Sequence, residues 1–475
     1  MKMDLRRKTK MVCTLGPATE SRRTVEQLVR AGMNVARVNL SHGDESQHHR
    51  LITTVRAAAE RLQVPVAILL DLPGPRYRTG GLESGQVSLK KGSRFVLTSR
   101  DVPGDDREVS LNLPGLSQKV KAGDTILLAD GAFRLRVRDV TDTDVICSVL
   151  VGGVLKPRRG IAVPGVRLQE AYITEQMQRQ LEFAVEREVD YIALSYVSRA
   201  SDVSAVRAIH DSLAGGAALI AKVERPEAVR SFKSVLRASD GVMVARGDLG
   251  VELPLEKVPL VQKDLIRKCN RAGKPVITAT QMLESMTNAS RPTRAEVTDV
   301  ANAIWDGTDA VMLSAETSVG SYPVEAASMM TRIARQTEAA FPYGRASQEN
   351  DDGLEPQMDD AIAYSACHTA HQVGAKAIIA FTESGSTVWR VCKYRPKVPI
   401  LAITPYLAVV RRLALAWGVL PFQVPSPKHV DDLFAEGVAV ARSVGAATRG
   451  DRVVITGGIP IGVPGTTNLL KVHEV

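Results

Sequence analysis

The sequence predicts an α/β fold: a parallel (β/α)8 barrel with an inserted small β domain and a C-terminal α/β domain. Three observations carry this. Eight apolar, β-branched runs alternate with amphipathic, helix-like stretches between residues 9 and 342. The alternation breaks over 76–160, where short strand-like pieces are punctuated by turn residues. After Phe341 a polar linker, Pro-Tyr-Gly-Arg-Ala-Ser-Gln-Glu-Asn-Asp-Asp-Gly, leads into a second α/β alternation. Domains are therefore expected at 1–75 with 161–342 (a TIM barrel), 76–160 (a small β-barrel lid) and 355–475 (an α/β domain).

Each element has a local reason. The barrel strands are read at Thr9–Leu15, Asn34–Asn39, Val66–Leu72, Tyr191–Tyr196, Ala217–Val223, Gly241–Ala245, Pro275–Thr280 and Asp309–Leu313. All are short and apolar, as parallel strands covered on both faces must be. Arg22–Ala31, Glu175–Arg187 and Leu255–Arg271 lie between them as amphipathic helices. In the insertion, Gln86–Leu89, Arg94–Thr98, Thr125–Leu128, Phe133–Val140 and Val145–Val149 are separated by Lys-Lys-Gly, Pro-Gly-Asp-Asp and Ala-Asp-Gly turns. A domain inserted after the third strand lies over the barrel mouth and is placed to act as a lid. Strands of the last domain are read at Ala377–Phe381, Ile400–Ile403, Arg452–Thr456 and Asn468–Val472.

Composition narrows the function classes. The chain is too long for one core and has the 44% apolar and 24% charged content of a globular protein. No apolar stretch is long enough to cross a bilayer, and no apolar signal core follows the basic N-terminus, so a cytoplasmic protein without a membrane partner is expected. Cys13, Cys147, Cys269, Cys367 and Cys392 are scattered without a CxxC, which suits reduced thiols rather than a disulfide frame or a zinc site. The net charge of +9 suits anionic partners, but aromatic residues are 4% and no basic run stands beside stacking residues, so nucleic acid is not expected.

The polar residues that matter stand at the C-terminal ends of the barrel strands, where such barrels do their chemistry: Asn39 and Ser41, Asp71, Glu224, Asp248, Thr280 and Glu316. Ala221-Lys-Val-Glu224 sets Lys222 and Glu224 on one side of a strand, and Asp248 follows the next strand. A lysine with two carboxylates can hold a divalent cation against a phosphorylated or enolic oxyanion. The same Lys-x-Glu alone also reads as a buried ion pair. Arg37 and Arg78 at the mouth can clamp a transferring phosphate. There is no GxxxxGK[ST]. Gly247 and Asp248 bring backbone amides beside a short turn, which suits a carboxylate, and Thr280 is placed to hydrogen-bond one or relay a proton, or to cap a helix. His42 has no third ligand near it in sequence and reads as exposed or capping rather than metal-binding. Thr382-Glu-Ser-Gly-Ser-Thr387, between a strand and a helix-like run, reads either as a phosphate-holding turn through Thr382, Ser384, Gly385, Ser386 and Thr387 or as a capped turn.

Together these segments resemble pyruvate kinase over nearly the whole chain. The matches include Lys10-Met-Val-Cys-Thr-Leu-Gly-Pro-Ala-Thr19, Met33–Gly43, Ala221–Glu224, Ser239-Asp-Gly-Val-Met-Val-Ala-Arg-Gly-Asp-Leu-Gly-Val-Glu-Leu-Pro254, Thr280–Met286 and Arg291-Pro-Thr-Arg-Ala-Glu296. In the C-terminal domain they include Ala375-Lys-Ala-Ile-Ile and Gly450-Asp-Arg-Val-Val-Ile-Thr-Gly-Gly. The resemblance implies phosphoryl transfer from phosphoenolpyruvate to ADP, giving pyruvate and ATP. It implies Mg²⁺ (or Mn²⁺) on Glu224 and Asp248, and Lys222 stabilising charge on the transferring group. Arg37 would contact the phosphate, with Thr280, Gly247 and Asp248 on the substrate carboxylate. Arg78, Arg159, Asn39 and His42 would lie on the nucleotide side. It also implies a homotetramer and a phosphorylated effector at Thr382–Thr387.

Departures from the family pattern sharpen these expectations. Asp71-Leu-Pro-Gly-Pro-Arg-Tyr-Arg78 stands where the family has Asp-Thr-Lys-Gly-Pro-Glu-Ile-Arg. Asn39, Ser41, Asp71 and the carbonyl of Leu72 match the family's K⁺ positions, yet Arg76 puts a fixed positive charge where K⁺-requiring members have a glutamate, so K⁺ is expected not to be required. Arg159 replaces a lysine, Gly160-Ile-Ala-Val-Pro-Gly165 replaces Gly-Val-Asn-Leu-Pro-Gly, and Leu313-Ser-Ala-Glu-Thr317 replaces Leu-Ser-Gly-Glu-Thr. Two other readings share some of these residues. A Mg²⁺-dependent lyase of pyruvate enolates would use Lys222, Glu224 and Asp248 but would not need Arg37, Arg78 or a lid. A non-catalytic metabolite-binding paralogue would not need all of Lys222, Glu224, Asp248 and Thr280.

Overall fold

A computed structural model describes residues 5–74, 77–113, 115–129, 131–166, 172–343, 357–426, 429–460 and 466–475. Arg76 lies outside these residues, as do most of the linker after Tyr343 and the loop 461–465.

Eight parallel strands close into a barrel: β1 (Lys10–Thr14), β2 (Val35–Asn39), β3 (Ala67–Leu72), β4 (Tyr191–Leu194), β5 (Ala218–Val223), β6 (Gly241–Ala245), β7 (Val276–Ala279) and β8 (Ala310–Leu313). Each pairs with its sequence neighbour, and β8 closes on β1 through Lys10↔Ala310 to Cys13↔Leu313. Every residue of β1, β3, β6, β7 and β8 is buried, which is why these strands read as unbroken apolar runs. The expected strands occur at these places, with ends one or two residues shorter in several. Helix starts are set by side-chain caps: Ser21 accepts from Thr24 N ahead of Arg22–Ala31, and Thr293 and Glu296 form a reciprocal capping box ahead of Arg294–Trp305.

Between β3 and β4 the chain builds a six-stranded sheet. Its order is Ile161–Ala162, Thr125–Leu128, Phe133–Val140, Asp144–Val151, Arg94–Thr98 and Glu108–Ser110. A two-stranded ribbon, Val87–Leu89 with Gly153–Leu155, covers the same apolar core of Phe95, Leu97, Ile126, Leu128 and Leu135. Arg78↔Gly160 is an isolated bridge at the root of this domain, so both connecting segments leave the barrel together.

The C-terminal sheet runs Val419–Gln423, Ile400–Thr404, Ala377–Phe381, Arg452–Gly458 and Thr467–Glu474, the last antiparallel. Val419–Gln423 is the strand that the sequence reading lacks; Pro421 interrupts its pattern, and its place at the sheet edge is where a proline is tolerated. This domain closes the N-terminal end of the barrel. Ala414 and Leu415 pack with Val12, Val35, Ala67, Leu69 and Tyr191 of the strands. Arg395, 2% exposed, donates from Nη1 to Asp309 Oδ1 at 2.7 Å and from Nη2 to Asn270 Oδ1 and the Gly307 carbonyl at 2.7 Å each. No helix among the described residues is long and apolar enough to cross a membrane.

Candidate active site

The barrel geometry brings the residues of β2, β3, β5 and β6 to one mouth. A cleft of about 510 Å³ is lined by Arg37, Asn39, Ser41, His42, Asp71 and Arg78, and on its other side by Lys222, Glu224 and Asp248, with Ser195 and Tyr196 between. Its centre is a buried charge network. Lys222 Nζ lies 2.8 Å from Glu224 Oε1 and 3.2 Å from Asp71 Oδ1, and donates to Ser195 Oγ at 2.7 Å. Ser195 Oγ donates to Asp71 Oδ1 at 3.1 Å. Arg37 places both Nε and Nη2 at 2.8 Å from Asp71 Oδ2, and its Nη1 donates to Thr14 Oγ1 at 2.9 Å. Asp71 thus fixes both cations, one on each oxygen.

The electrostatics follow from burial and neighbours. Burial opposes the carboxylate of Asp71, but Lys222 and Arg37 outweigh it and hold its pKa below the ordinary range. Burial likewise opposes the charge on Lys222, yet Asp71 and Glu224 outweigh it and raise its pKa, so the ammonium is kept. Glu224 is pushed up to about 7, by burial first and then by Asp248 and Asp71, against the pull of Lys222. It accepts from Tyr196 N at 2.5 Å. Glu224 and Asp248 line the same cleft and the charge of Asp248 raises the Glu224 pKa, a repulsion that a divalent cation would relieve. Among the described residues no group of three or more His, Cys, Asp or Glu forms a ligand cage. A cation here would rest on Glu224 and Asp248, with its other positions open to water or phosphate oxygens, as suits Mg²⁺.

Other expected residues are placed differently. Asp248 lies in the first turn of a short helix, Arg246–Glu252, rather than beside an open turn, and the Gly247 amide is not free: it donates to Thr280 Oγ1 at 2.8 Å. Thr280 caps no helix; it follows β7 with φ +67°, a left-handed conformation that a β-branched residue adopts at a cost, and its Oγ1 donates to the Ala279 carbonyl at 2.6 Å. Arg246 holds that strained corner, donating from Nη2 to the Thr280 carbonyl at 2.6 Å and pairing through Nη1 with Asp299 at 2.6 Å. Neither Thr280 nor Gly247 lines the cleft. Asn39 Oδ1 accepts from Ser41 N at 3.1 Å, and the Leu72 side chain is wholly buried in the barrel core, leaving its carbonyl as the sole donor it could offer a cation. His42 is exposed and accepts His48 Nε2 on its carbonyl at 2.7 Å. Arg78 N donates to Asn112 Oδ1 at 2.6 Å, while Arg159 is exposed on the lid beyond the cleft. Glu316 is buried and ties Leu283 N and Ser314 N, a bracing role. Ser195 and Tyr196 are the residues that sequence reasoning missed; their one signal is their place directly after β4.

Thr382–Thr387 lies far from this mouth in the C-terminal domain. Gly385, φ +96°, caps helix Ser386–Lys393, and its amide donates to Thr382 Oγ1 at 2.8 Å. Ser384 Oγ bonds Ser386 Oγ at 3.2 Å, and Thr387 Oγ1 bonds Thr467 Oγ1 at 2.6 Å.

Comparison with known proteins agrees over the same residues. The pyruvate kinase barrel-domain family matches residues 6–327, and the pyruvate kinase alpha/beta-domain family matches residues 360–473. A pyruvate kinase of Geobacillus stearothermophilus is 48% identical, with 99% of this chain and 81% of that protein covered. One from Staphylococcus aureus (strain MRSA252) is 46% identical, covering 99% and 80%. A crystal structure of a pyruvate kinase from Cryptosporidium parvum superimposes with a TM-score of 0.95 at 37% identity, covering 99% of this chain and 96% of that one. The chain belongs to the pyruvate kinase family, phosphotransferases that convert phosphoenolpyruvate and ADP to pyruvate and ATP.

Proposed function

We propose that the cleft at the barrel mouth performs this transfer with Lys222 as its central charge. The observation that carries the reading is the placement of Lys222 Nζ between Asp71 and Glu224, both within 3.2 Å. A fixed ammonium there stabilises charge on the phosphoryl group as it leaves phosphoenolpyruvate, without a covalent intermediate. Arg37, already oriented by Asp71 and Thr14, keeps further N–H groups for the substrate phosphate. Arg78 reaches the nucleotide phosphates from the root of the lid, with Arg159, Asn39 and His42 on the same side. The Gly247 and Asp248 amides and Thr280 hold the substrate carboxylate, which requires the Gly247–Thr280 hydrogen bond to open or be shared. Thr280 then stands on the side from which the enolate takes its proton. Glu224 and Asp248 would hold Mg²⁺ (or Mn²⁺), the metal typical of the family, which would supply neutralisation of charge on phosphate and enolate oxygens.

Three further parts complete the reading. A phosphorylated effector is read at the Thr382–Thr387 turn. A homotetramer is supported by family membership and by large apolar side chains left outward, Leu255, Leu260, Trp305 and Met358. A cytoplasmic setting is supported by five buried cysteines, none of them in a disulfide. The test of the central role is Lys222→Met. Turnover should fall by the equivalent of about 3–6 kcal/mol of transition-state stabilisation while phosphoenolpyruvate binding stays within a few-fold. An equal loss in binding and turnover would remove Lys222 from the chemistry.

A further inference from the structure

The peptide unit just past β4 is held on both of its edges. The carbonyl of Ser195 accepts from Tyr172 Oη at 2.6 Å, and the N–H of the same peptide, Tyr196 N, donates to Glu224 Oε2 at 2.5 Å. A peptide is planar, so fixing its carbonyl fixes the direction of its N–H. Phenol, peptide and carboxylate thus form a chain in which each hydrogen bond polarises the next. Ser195 uses its side chain as well: Oγ accepts from Lys222 Nζ at 2.7 Å and donates to Asp71 Oδ1 at 3.1 Å. Through this one residue Tyr172 is tied to Asp71, Lys222 and Glu224, although it does not itself line the cleft.

The backbone at this point sits in a costly conformation. Tyr196 has φ +58°, a left-handed geometry that a bulky residue keeps only where its surroundings over-determine it. Gly74 leaves the space for it: a Cβ there would stand 2.5 Å from the Ser195 carbonyl oxygen and 2.8 Å from Tyr196 Cδ2. Arg225 Cζ lies over the Tyr196 ring, 5.0 Å from its centroid. The Ser195 carbonyl is buried, and Tyr172 supplies its hydrogen bond. Tyr172 suits that task. It is 7% exposed and packs in the apolar core around the barrel. Burial first, then the carboxylates of Glu224, Asp202 and Asp71, push its pKa well above that of an ordinary phenol, so the hydroxyl stays a donor.

We propose that Tyr172 is a positioning residue for the phosphoryl transfer: its hydroxyl, acting through the Ser195–Tyr196 peptide, aims the Glu224 carboxylate at the divalent cation. The inference rests on the reading of Glu224 and Asp248 as the metal pair and deepens it. With Tyr196 N on Oε2 and Lys222 Nζ 2.8 Å from Oε1, the carboxylate is stopped from turning, and its remaining lone pairs keep one direction.

The test is Mn²⁺ binding to the full-length enzyme without substrates, read from the electron paramagnetic resonance signal of the free ion. Wild type is compared with Tyr172→Phe, Tyr172→Leu and Asp248→Asn. Tyr172→Phe keeps the ring and removes only the hydroxyl. Its Mn²⁺ dissociation constant should rise about tenfold, the scale of a lost outer partner of a metal ligand, with the urea midpoint close to that of the wild type. Tyr172→Leu should bind Mn²⁺ no better than Tyr172→Phe, and Asp248→Asn should also bind it more weakly than the wild type. A dissociation constant within twofold of the wild type in Tyr172→Phe, with Asp248→Asn weakened, would overturn the positioning role and leave the metal pair standing. Loss in Tyr172→Leu without loss in Tyr172→Phe would assign the effect to ring packing and overturn it equally. Wild-type affinity in Asp248→Asn would overturn the metal reading and this proposal with it.

Discussion

Asp71, itself 1% exposed, holds Arg37 on one carboxylate oxygen and Lys222 on the other, at 2.8 and 3.2 Å. Its neighbours come from β2 and β5, so one side chain sets the positions of two cations that reach the cleft from different strands.

Asp71→Ala should therefore cost more than a carboxylate in the active site. It leaves Arg37 without its carboxylate and Lys222 with Glu224 alone, a loss of about 3–5 kcal/mol by the behaviour of broken buried pairs. A lowered urea midpoint for the barrel transition checks this. A midpoint within error of the wild type would show that Arg37 and Lys222 are held by other means.

Asp248→Asn removes one charge from the metal pair while keeping size and helix position. The fold should persist, and the Mg²⁺ concentration giving half-maximal rate should rise by about tenfold or more, the scale of one lost charged ligand. Rate against Mg²⁺ concentration checks it. A wild-type response at low Mg²⁺ would take Asp248 out of the metal site.

Monovalent cations test the departure at 71–78. Both oxygens of Asp71 are already turned to cations, and Asn39 Oδ1 accepts from its own loop at Ser41. Little negative charge is left for K⁺, and Arg76 adds a fixed positive charge nearby in sequence. Initial rates in a tetramethylammonium buffer with Mg²⁺ should change less than about twofold when KCl replaces it at constant ionic strength. A many-fold rise would refute the idea.

Effector choice follows from the turn at Thr382–Thr387. Thr382-Glu-Ser-Gly-Ser-Thr387 carries hydroxyls and one acid but no cation, so no charge for a second phosphate stands on the turn. A sugar or nucleoside monophosphate should shift the phosphoenolpyruvate saturation curve to lower concentration, and fructose 1,6-bisphosphate should do so weakly. Tight activation by the bisphosphate would contradict this.

The legible parts of the molecule were those written locally. Parallel strands buried on both faces are continuous apolar runs, so all eight barrel strands stood out, and Lys222, Glu224 and Asp248 followed from their places at strand ends. Val419–Gln423 did not stand out because Pro421 breaks its pattern while its edge position makes the proline harmless. Ser195 was invisible because a lone serine after a strand has no spacing to mark it, though it bridges Lys222 and Asp71, which come from β5 and β3. The left-handed Thr280 and the engaged Gly247 amide depend on Arg246 and on β7 packing beside β6. Arg395 clamps residues 86 and 125 positions away, and no local pattern encodes such a contact. The sequence also underreports the C-terminal domain's role as the floor of the barrel, since Ala414 and Leu415 look like ordinary core residues until the barrel end is in place.

The most direct measurement is product stoichiometry from phosphoenolpyruvate with and without ADP, in the presence of Mg²⁺, reading pyruvate and ATP in the same samples. The account predicts one ATP for each pyruvate and negligible pyruvate without ADP. Pyruvate formed equally well without ADP would contradict phosphoryl transfer and favour enolate chemistry on the same barrel, and no pyruvate under either condition would make the chain a binding protein.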